Sequence, residues 1–185
     1  SPPKAETLKH EVGVSYGALA QPMMFHSFVH LKNPIVLGSL NLEYYYNFNK
    51  KHSIGAAFSV TSDCFNQHKW RSITNHYVGS ENTYESEKGA AFFSIQLGYR
   101  FTFFSKNNIS LYSSVFSGLG IRVISFHNIY YDRIGLSEKY LLTGHLTFLG
   151  MTIGKKNCVN IELGLGAQGI LQIGYKYKFN SKNNK

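Results

Sequence analysis

A chain of 185 residues with 43% hydrophobic residues is long enough for a single domain with its own core. The net charge of +9 is compatible with nucleic-acid binding, but the lysines lie in short turns between aromatic segments rather than on one face, which disfavours a nucleic-acid partner. No segment approaches the roughly 18 consecutive apolar residues of a membrane helix, which excludes a helical membrane protein.

Residues 1–7 form a polar, proline-containing lead that we expect to be mobile. The sequence does not begin with the apolar core of a signal peptide. We therefore interpret the chain as the mature form of an exported protein after signal-peptide removal. Residues 180–185 form a polar tail, which we expect on the periplasmic side.

Apolar and polar residues alternate with a period of two in eight segments, and this alternation predicts β-strands. The predicted strands are, in chain order, about Leu8–Ala18, Pro34–Phe48, His52–Cys64, Lys88–Phe104, Ile109–Val123, Tyr140–Ile153 and the two arms of the hairpin Val159–Phe179, which turns near Gln168–Gly169. The sixth strand changes phase near Leu149, and this change predicts a β-bulge.

The final hairpin indicates which environment each face meets. One face carries Leu163 and Ile173, whereas the other carries Glu162, Gly174 and Lys176. An apolar outer face and a polar inner face are typical of a transmembrane barrel strand. The sequence thus predicts an all-β fold, an eight-stranded antiparallel up-and-down transmembrane β-barrel over residues 8–179. A soluble lipocalin-type barrel, the alternative, would need the reverse sidedness.

The connections between the predicted strands alternate in length, as in bacterial outer-membrane barrels. Long loops at Leu19–Asn33, Phe65–Glu87 and Ile124–Lys139 alternate with short Asn/Lys-rich turns. Aromatic residues of three strands fall beside the short turns, and we predict that they form a girdle at the membrane interface. Its members are Tyr44, Tyr46, Phe48, Tyr99, Phe101, Phe103, Tyr175, Tyr177 and Phe179.

The segments His10–Gly17, Leu42–Tyr46, Glu162–Gly164 and Gly174–Phe179 carry a family resemblance. The chain resembles small eight-stranded outer-membrane barrels of OmpA/OmpX-like architecture, and is most similar in pattern to the outer-membrane β-barrel proteins of Bacteroidota. The aromatic ending resembles the terminal signal that barrel-assembly machinery reads, although six residues follow Phe179 here. The resemblance implies the fold and a location in the cell outer membrane, and little about activity.

Six inward-facing charged residues are predicted near the short-turn ends of their strands: Glu11, Glu43, Arg100, Glu162, Lys176 and Lys178. Buried charges are stable only when they are paired. We therefore predict a lumen network in which the carboxylates neutralise the bases, assisted by Gln96, Gln168 and Gln172. A packed polar lumen is favoured over a gated ion path or over acid–base catalysis.

Sequence features offer little support for catalysis or for a metal. His26 and His30 are four residues apart, which suits a metal only on a helix. Some small barrels act on lipid A, and the deacylase type resembles a His-x-Ser pair; the nearest match here is His145-Leu146-Thr147. Cys64 and Cys158 fall at opposite ends of the barrel, too far apart to form a disulfide, and predict two free thiols. We predict no cofactor, metal or disulfide.

The long loops provide the candidate partner contacts Met23, Met24, Trp70, Tyr130 and Tyr131. We expect contact with outer-membrane lipids and lipopolysaccharide, and with other outer-membrane proteins through the loops or the barrel wall. The predicted function is a non-enzymatic barrel with a plugged lumen, acting as a scaffold, a loop-presenting interaction protein or an accessory subunit of a complex. A lipid A-modifying enzyme is the first alternative and a lipocalin-like binding protein the second.

Overall fold

The structure, a computed structural model, describes residues 8–20, 36–63, 70–73, 83–106, 108–128 and 133–180. These residues form nine strands: β1 (His10–Ala20), β2 (Val36–Asn47), β3 (His52–Asp63), β4 (Trp70–Ile73), β5 (Thr83–Lys106), β6 (Ile109–Asn128), β7 (Arg133–Gly154), β8 (Asn157–Gly166) and β9 (Leu171–Phe179). Within the described ranges, no helix has the length and apolar character needed to cross a membrane.

The predicted eight-stranded closed barrel is confirmed. Strands β1–β3 and β5–β9 each pair antiparallel with the next strand of the ring, and β9 pairs with β1 to close it. His10 lies opposite Phe179 at one end of the closing seam, and Ala18 lies opposite Leu171 at the other. Strand β4 pairs with β5 and lies outside the ring. Closure supplies backbone partners that an open sheet would leave unsatisfied along its edges.

The predicted sidedness is also observed. Apolar side chains such as Leu97, Leu119 and Ile173 lie on the outer surface, with more than half of each side chain exposed. Inside the barrel, the buried side chains are mostly serine, threonine, asparagine, glutamine and paired charges. This arrangement is the opposite of a lipocalin-type barrel, which places its apolar residues inside.

The predicted bulge near Leu149 is present. The register of β7 against β8 shifts between Thr147 and Leu149, and the β6–β7 register shifts at the same level, between Tyr112 and Ser114. The extra residue places Phe148 and Leu149 side by side on the outer surface. The phase change in the sequence is therefore the local signature of the bulge.

Strands β5, β6 and β7 extend further than predicted at the end opposite the short turns. Strand β5 begins at Thr83 instead of Lys88, β6 ends at Asn128 instead of Val123, and β7 begins at Arg133 instead of Tyr140. The predicted loops Phe65–Glu87 and Ile124–Lys139 are therefore wrong in part, because they contain these extensions and strand β4. Backbone pairing does not require side-chain alternation, and the sequences of these extensions lack the period-two pattern on which the prediction depended.

The two ends of the barrel differ. The short turns after β2, β5 and β7 lie at one end, here called the turn end, where the Lys9 amide also donates to the side chain of Asn180 (2.8 Å). The opposite end, here called the loop end, carries the β8–β9 turn at residues 167–170. This turn lies inside the barrel, with Ala167 and Gln168 completely buried. Gly169 has a φ of 108°, a conformation that favours glycine in a tight turn.

Candidate functional site: the charged lumen

Lys176 of β9 is the centre of the lumen. Its Nζ lies 2.9 Å from Glu162 Oε1, 3.1 Å from Glu43 Oε2 and 3.9 Å from Glu11 Oε1. The strands β8, β2 and β1 supply these carboxylates, and only 1% of the Lys176 side chain is exposed. A single ammonium group therefore connects carboxylates from three strands.

Arg100 of β5 makes the second strong contact of the network. Its Nη1 donates to Glu11 Oε1 at 2.6 Å, and both groups are buried. The guanidinium also stacks over the ring of Tyr45, with 3.6 Å from Cζ to the ring centroid, and lies 4.9 Å from that of Tyr112. Lys178 lies nearer the turn end, 3.8 Å from Glu11 Oε2, and keeps 19% of its side chain exposed.

The structure thus brings all six sequence-predicted charged residues into one set of contacts, with three carboxylates and three basic groups. Desolvating so many charges is costly, and their mutual attraction offsets that cost only when the pairing is close. Equal numbers of opposite charges leave the interior close to neutral.

Two tyrosines complete the network that the sequence analysis assigned to charged residues assisted by glutamines. The Tyr112 hydroxyl donates to Glu162 Oε1 at 2.6 Å and accepts from Lys176 Nζ at 3.1 Å. Tyr45 is fully buried and packs edge-on against Phe116 as well as under Arg100. In the sequence, both tyrosines lie on the polar face of their strands. This position in the alternation indicates that they point inward, and it could have identified them as members of the network.

A second polar layer lies closer to the loop end. Gln172 accepts from the Ser15 hydroxyl (3.2 Å) and donates to His145 Nε2 (2.9 Å), while Gln168 donates to Gln96 Oε1 (3.1 Å). Gln168 and Gln96 therefore bond to each other, and Gln172 bonds to neutral groups, so that none of the three is seen to bond to the charges that it was expected to assist. Glu162 is instead supported by Thr147 and Asn160, each at 3.1 Å.

The β8–β9 turn fills the lumen above this layer. The Gln168 carbonyl accepts from the Ser39 hydroxyl at 2.7 Å and from Asn41 Nδ2 at 3.2 Å. Gly17 of β1 allows this close approach, because a Cβ atom there would lie only 1.7 Å from the same carbonyl oxygen. The turn is therefore held by strands β1 and β2, across the closing seam of the barrel.

The predicted aromatic girdle lies on the outer surface beside the turn end. Tyr44, Phe48, Tyr99, Phe101, Phe103, Tyr175 and Tyr177 are exposed, and Tyr46 and Phe179 are half-buried. Two histidines that were not predicted join it. His10 bonds to the Tyr44 hydroxyl (2.8 Å) and stacks on Phe179, and His52 bonds to the Tyr99 hydroxyl. Both histidines share the outward parity of their strands.

The remaining sequence candidates fall in three groups. Met23, Met24, Tyr130, Tyr131, His26, His30 and Cys64 lie outside the described residues. Trp70 begins β4, where its backbone pairs with Ser86. Cys158 is a buried free thiol, and no cluster of three metal-binding side chains occurs in the described part of the chain.

His145 and Thr147, the nearest match to a lipid-deacylase pair, are both buried in the lumen. Each already has a polar partner there, Gln172 and Glu162 respectively. In this position neither side chain faces the outer wall, where a membrane lipid would lie.

No protein-family model matches the chain, and no curated protein matches its sequence. Among solved structures, the chain is similar to the crystal structure of Ail, the attachment invasion locus protein of Yersinia pestis, with a TM-score of 0.53 and 14% identity, over 94% of this chain and 100% of that one. Ail in complex with the heparin analogue sucrose octasulfate gives a TM-score of 0.46 at 16% identity, over 92% and 97% of the two chains.

The backbone structure of the Y. pestis outer membrane protein Ail in a phospholipid bilayer nanodisc gives a TM-score of 0.44 at 18% identity, over 94% of this chain and 100% of that one. The first of the three similarities agrees with the closed barrel described above. At 14% identity it establishes the fold and not the function.

Proposed function

We propose that this chain is a non-enzymatic integral barrel of the outer membrane, with a plugged lumen, that acts as a scaffold, a loop-presenting interaction protein or an accessory subunit of an outer-membrane complex. The observation that carries the proposal is the sidedness of the wall. Leucines, isoleucines and aromatics cover the outside, and six charged groups are paired inside. In water such a surface would be a large exposed apolar area, whereas in a bilayer it is the favoured arrangement.

The plugged lumen supports a structural role over transport. The charge network, the glutamine layer and the β8–β9 turn occupy successive levels of the interior. An eight-stranded barrel is just wide enough for side chains to fill. Contacts with partners are therefore proposed for the outside of the molecule, through the wall or through the loop end.

The extension of β5, β6 and β7 is the part of the described structure best placed for a protein partner. It continues past the ends of β8 and β9 at the loop end, and β4 adds a further strand to it through β5. Trp70 lies in that added strand. We propose that this region makes the protein contacts predicted for the loop residues. The wall contacts outer-membrane lipid and lipopolysaccharide.

The lipid A-modifying alternative has no specific observation in its favour. In the described residues, no serine or threonine hydroxyl bonds to a histidine ring on the outer wall, where such an enzyme needs its pair. The resemblance of the sequence pattern to Bacteroidota barrels remains a prediction that depends on the residues carrying it.

Membrane fractionation and bilayer conductance test this function. The expressed protein is expected in the outer-membrane fraction, with gel mobility that changes on heating, and purified protein is expected to leave a planar bilayer non-conducting. Recovery in the soluble fraction would refute the membrane role, and discrete channel openings would refute the plugged lumen. Crosslinking in cells from a photoreactive residue at position 136 in the extension, compared with one at position 97 in the wall, tests the partner contact; both positions are exposed.

A further inference from the structure

A cavity of about 910 Å³ opens at the turn end, below the charge network. All three short turns line it, through Lys50, Asn108 and Lys155 among others, together with Leu8 before β1. Arg100, Glu11 and Tyr112 line its deep side, so the cavity reaches the buried network. The cavity lies on the axis of the barrel, and the strands separate it from the aromatic girdle on the outer surface.

The charge of this cavity is strongly unbalanced. Its lining contains five basic side chains, Lys50, Arg100, Lys155, Lys156 and Lys178, and one carboxylate, Glu11. Glu11 is already engaged, at 2.6 Å by Arg100 and at 3.8 Å by Lys178. Lys50, Lys155 and Lys156 are exposed and form no ion pair with the residues that the structure describes. Because Arg100, Lys178 and Glu11 belong to the balanced charge network, these three lysines leave the cavity with a net positive charge.

The other lining groups suit a hydrophilic anion. Thr102 and Thr152 contribute hydroxyl groups, and Asn157 contributes an amide. The other polar side chains of the lining bond within it, Ser53 to Asn47 (2.6 Å) and Ser105 to Ser110 (3.2 Å). Like charges enclosed by low-dielectric walls concentrate the field and raise the local concentration of counter-ions. Several lysines around one cavity favour a ligand that carries several negative groups, because each lysine binds phosphate as a point charge.

We propose that this cavity, here called the basic vestibule, binds a soluble anion carrying several phosphate groups, which enters from the turn end. Such a ligand bridges Lys50 on one side of the mouth and the Lys155–Lys156 pair on the other, with its deepest group directed toward Arg100. The plugged interior above the network leaves the turn end as its route of entry and exit. The site is independent of any protein contact at the loop end.

Calorimetric titration with inorganic tripolyphosphate tests the proposal, using the folded protein in zwitterionic micelles. Saturable binding at one site is expected, weakening as salt rises to about 0.15 M. The variant K50Q/K155Q/K156Q is expected to bind at least about tenfold more weakly, because its three unpaired cations are removed. The matched control is K9Q/K51Q/K106Q, which loses the same charge at the same end from exposed lysines that do not line the cavity; its affinity is expected to change less than about threefold.

Equal weakening in the two triple variants would show general charge attraction and would overturn the proposal, as would a lack of saturable binding to the unaltered protein. Competition by vesicles containing phosphatidylglycerol, with equal loss in both variants, would assign the lysines to lipid headgroups instead. Backbone amide shifts of Lys155 and Lys156 on addition of tripolyphosphate provide a second readout that needs no variant, and unchanged shifts there would also refute the site.

Discussion

Replacing Lys176 by methionine is the most direct test of the charge network. The change keeps a long apolar side chain in the same space and removes the ammonium group that lies 2.9 Å from Glu162 and 3.1 Å from Glu43. Removing one partner of a buried ion pair costs about 3–5 kcal/mol of unfolding free energy, because the remaining charge stays buried and uncompensated. We expect the loss of unfolding free energy in K176M to lie within that range.

The two carboxylates left behind are not equivalent, and this difference sharpens the test. Glu162 keeps hydrogen bonds from Tyr112, Thr147 and Asn160 in the variant. Glu43 has Lys176 as its ion-pair partner, and neither of its oxygens accepts a hydrogen bond within the described structure. Adding E43Q to K176M should therefore restore about 1–3 kcal/mol, whereas adding E162Q should restore less.

Denaturant unfolding in lipid vesicles, followed by far-ultraviolet circular dichroism and by heat-modifiable gel mobility, measures these differences. K178M is the matched control, because Lys178 is the most exposed member of the network and lies 3.8 Å from Glu11; its cost should not exceed about 1 kcal/mol. A loss below about 1 kcal/mol for K176M, or better rescue by E162Q than by E43Q, would refute the network as described.

Three further substitutions test other parts of the barrel. Leu97→Arg in the middle of the outer wall should cost about 2–4 kcal/mol of folding free energy in vesicles, whereas Phe103→Arg beside the turn end should cost about 0–1 kcal/mol, and equal costs would contradict the assigned depth. Gly17→Val should displace the β8–β9 turn and speed hydrogen exchange at the Ile170 amide, which donates to the Ala18 carbonyl oxygen (2.8 Å). The control is Ala18→Val, which adds the same side chain on the outer side. Unchanged exchange in Gly17→Val, or equally fast exchange in Ala18→Val, would contradict this. Tyr112→Phe should cost about 1.5–3 kcal/mol by removing the hydroxyl between Glu162 and Lys176, and a loss under about 0.5 kcal/mol in the same unfolding assay would contradict the contact.

The barrel was predictable because apolar side chains recur at every second position of the strands that form its wall. Leu163 and Ile173 show the outward face of the last hairpin, and Glu162 and Lys176 show its inward face. The same parity assigns Glu11 and Arg100 to the interior. The interior of an eight-stranded barrel is narrow, so charged side chains that point inward at the same level must lie close together. For this reason the charged residues of the network were predictable from the alternation in each strand.

Features that depend on distances between strands were not predictable. Parity indicates that Tyr112 faces inward, but only the β6–β7 and β7–β8 registers bring its hydroxyl to Glu162. The placement of the β8–β9 turn inside the barrel depends on the short length of β8 and β9 relative to β7, and the sequence near Gln168 shows only a turn. The strand extensions were missed because their sequences do not alternate, and backbone pairing does not require alternation.

Unequal strand lengths give the molecule a tall flank and a low flank. At about 3.3 Å per residue and a tilt near 40°, the 24 residues of β5 rise about 60 Å, whereas the 9 residues of β9 rise about 23 Å. The apolar band of an outer-membrane barrel is about 25 Å tall. In the proposed membrane, a neighbouring protein would therefore meet a tall sheet on the β5 side and a low rim on the β9 side. The two sides of the barrel are thus not equivalent for lateral contacts, although its cross-section is circular.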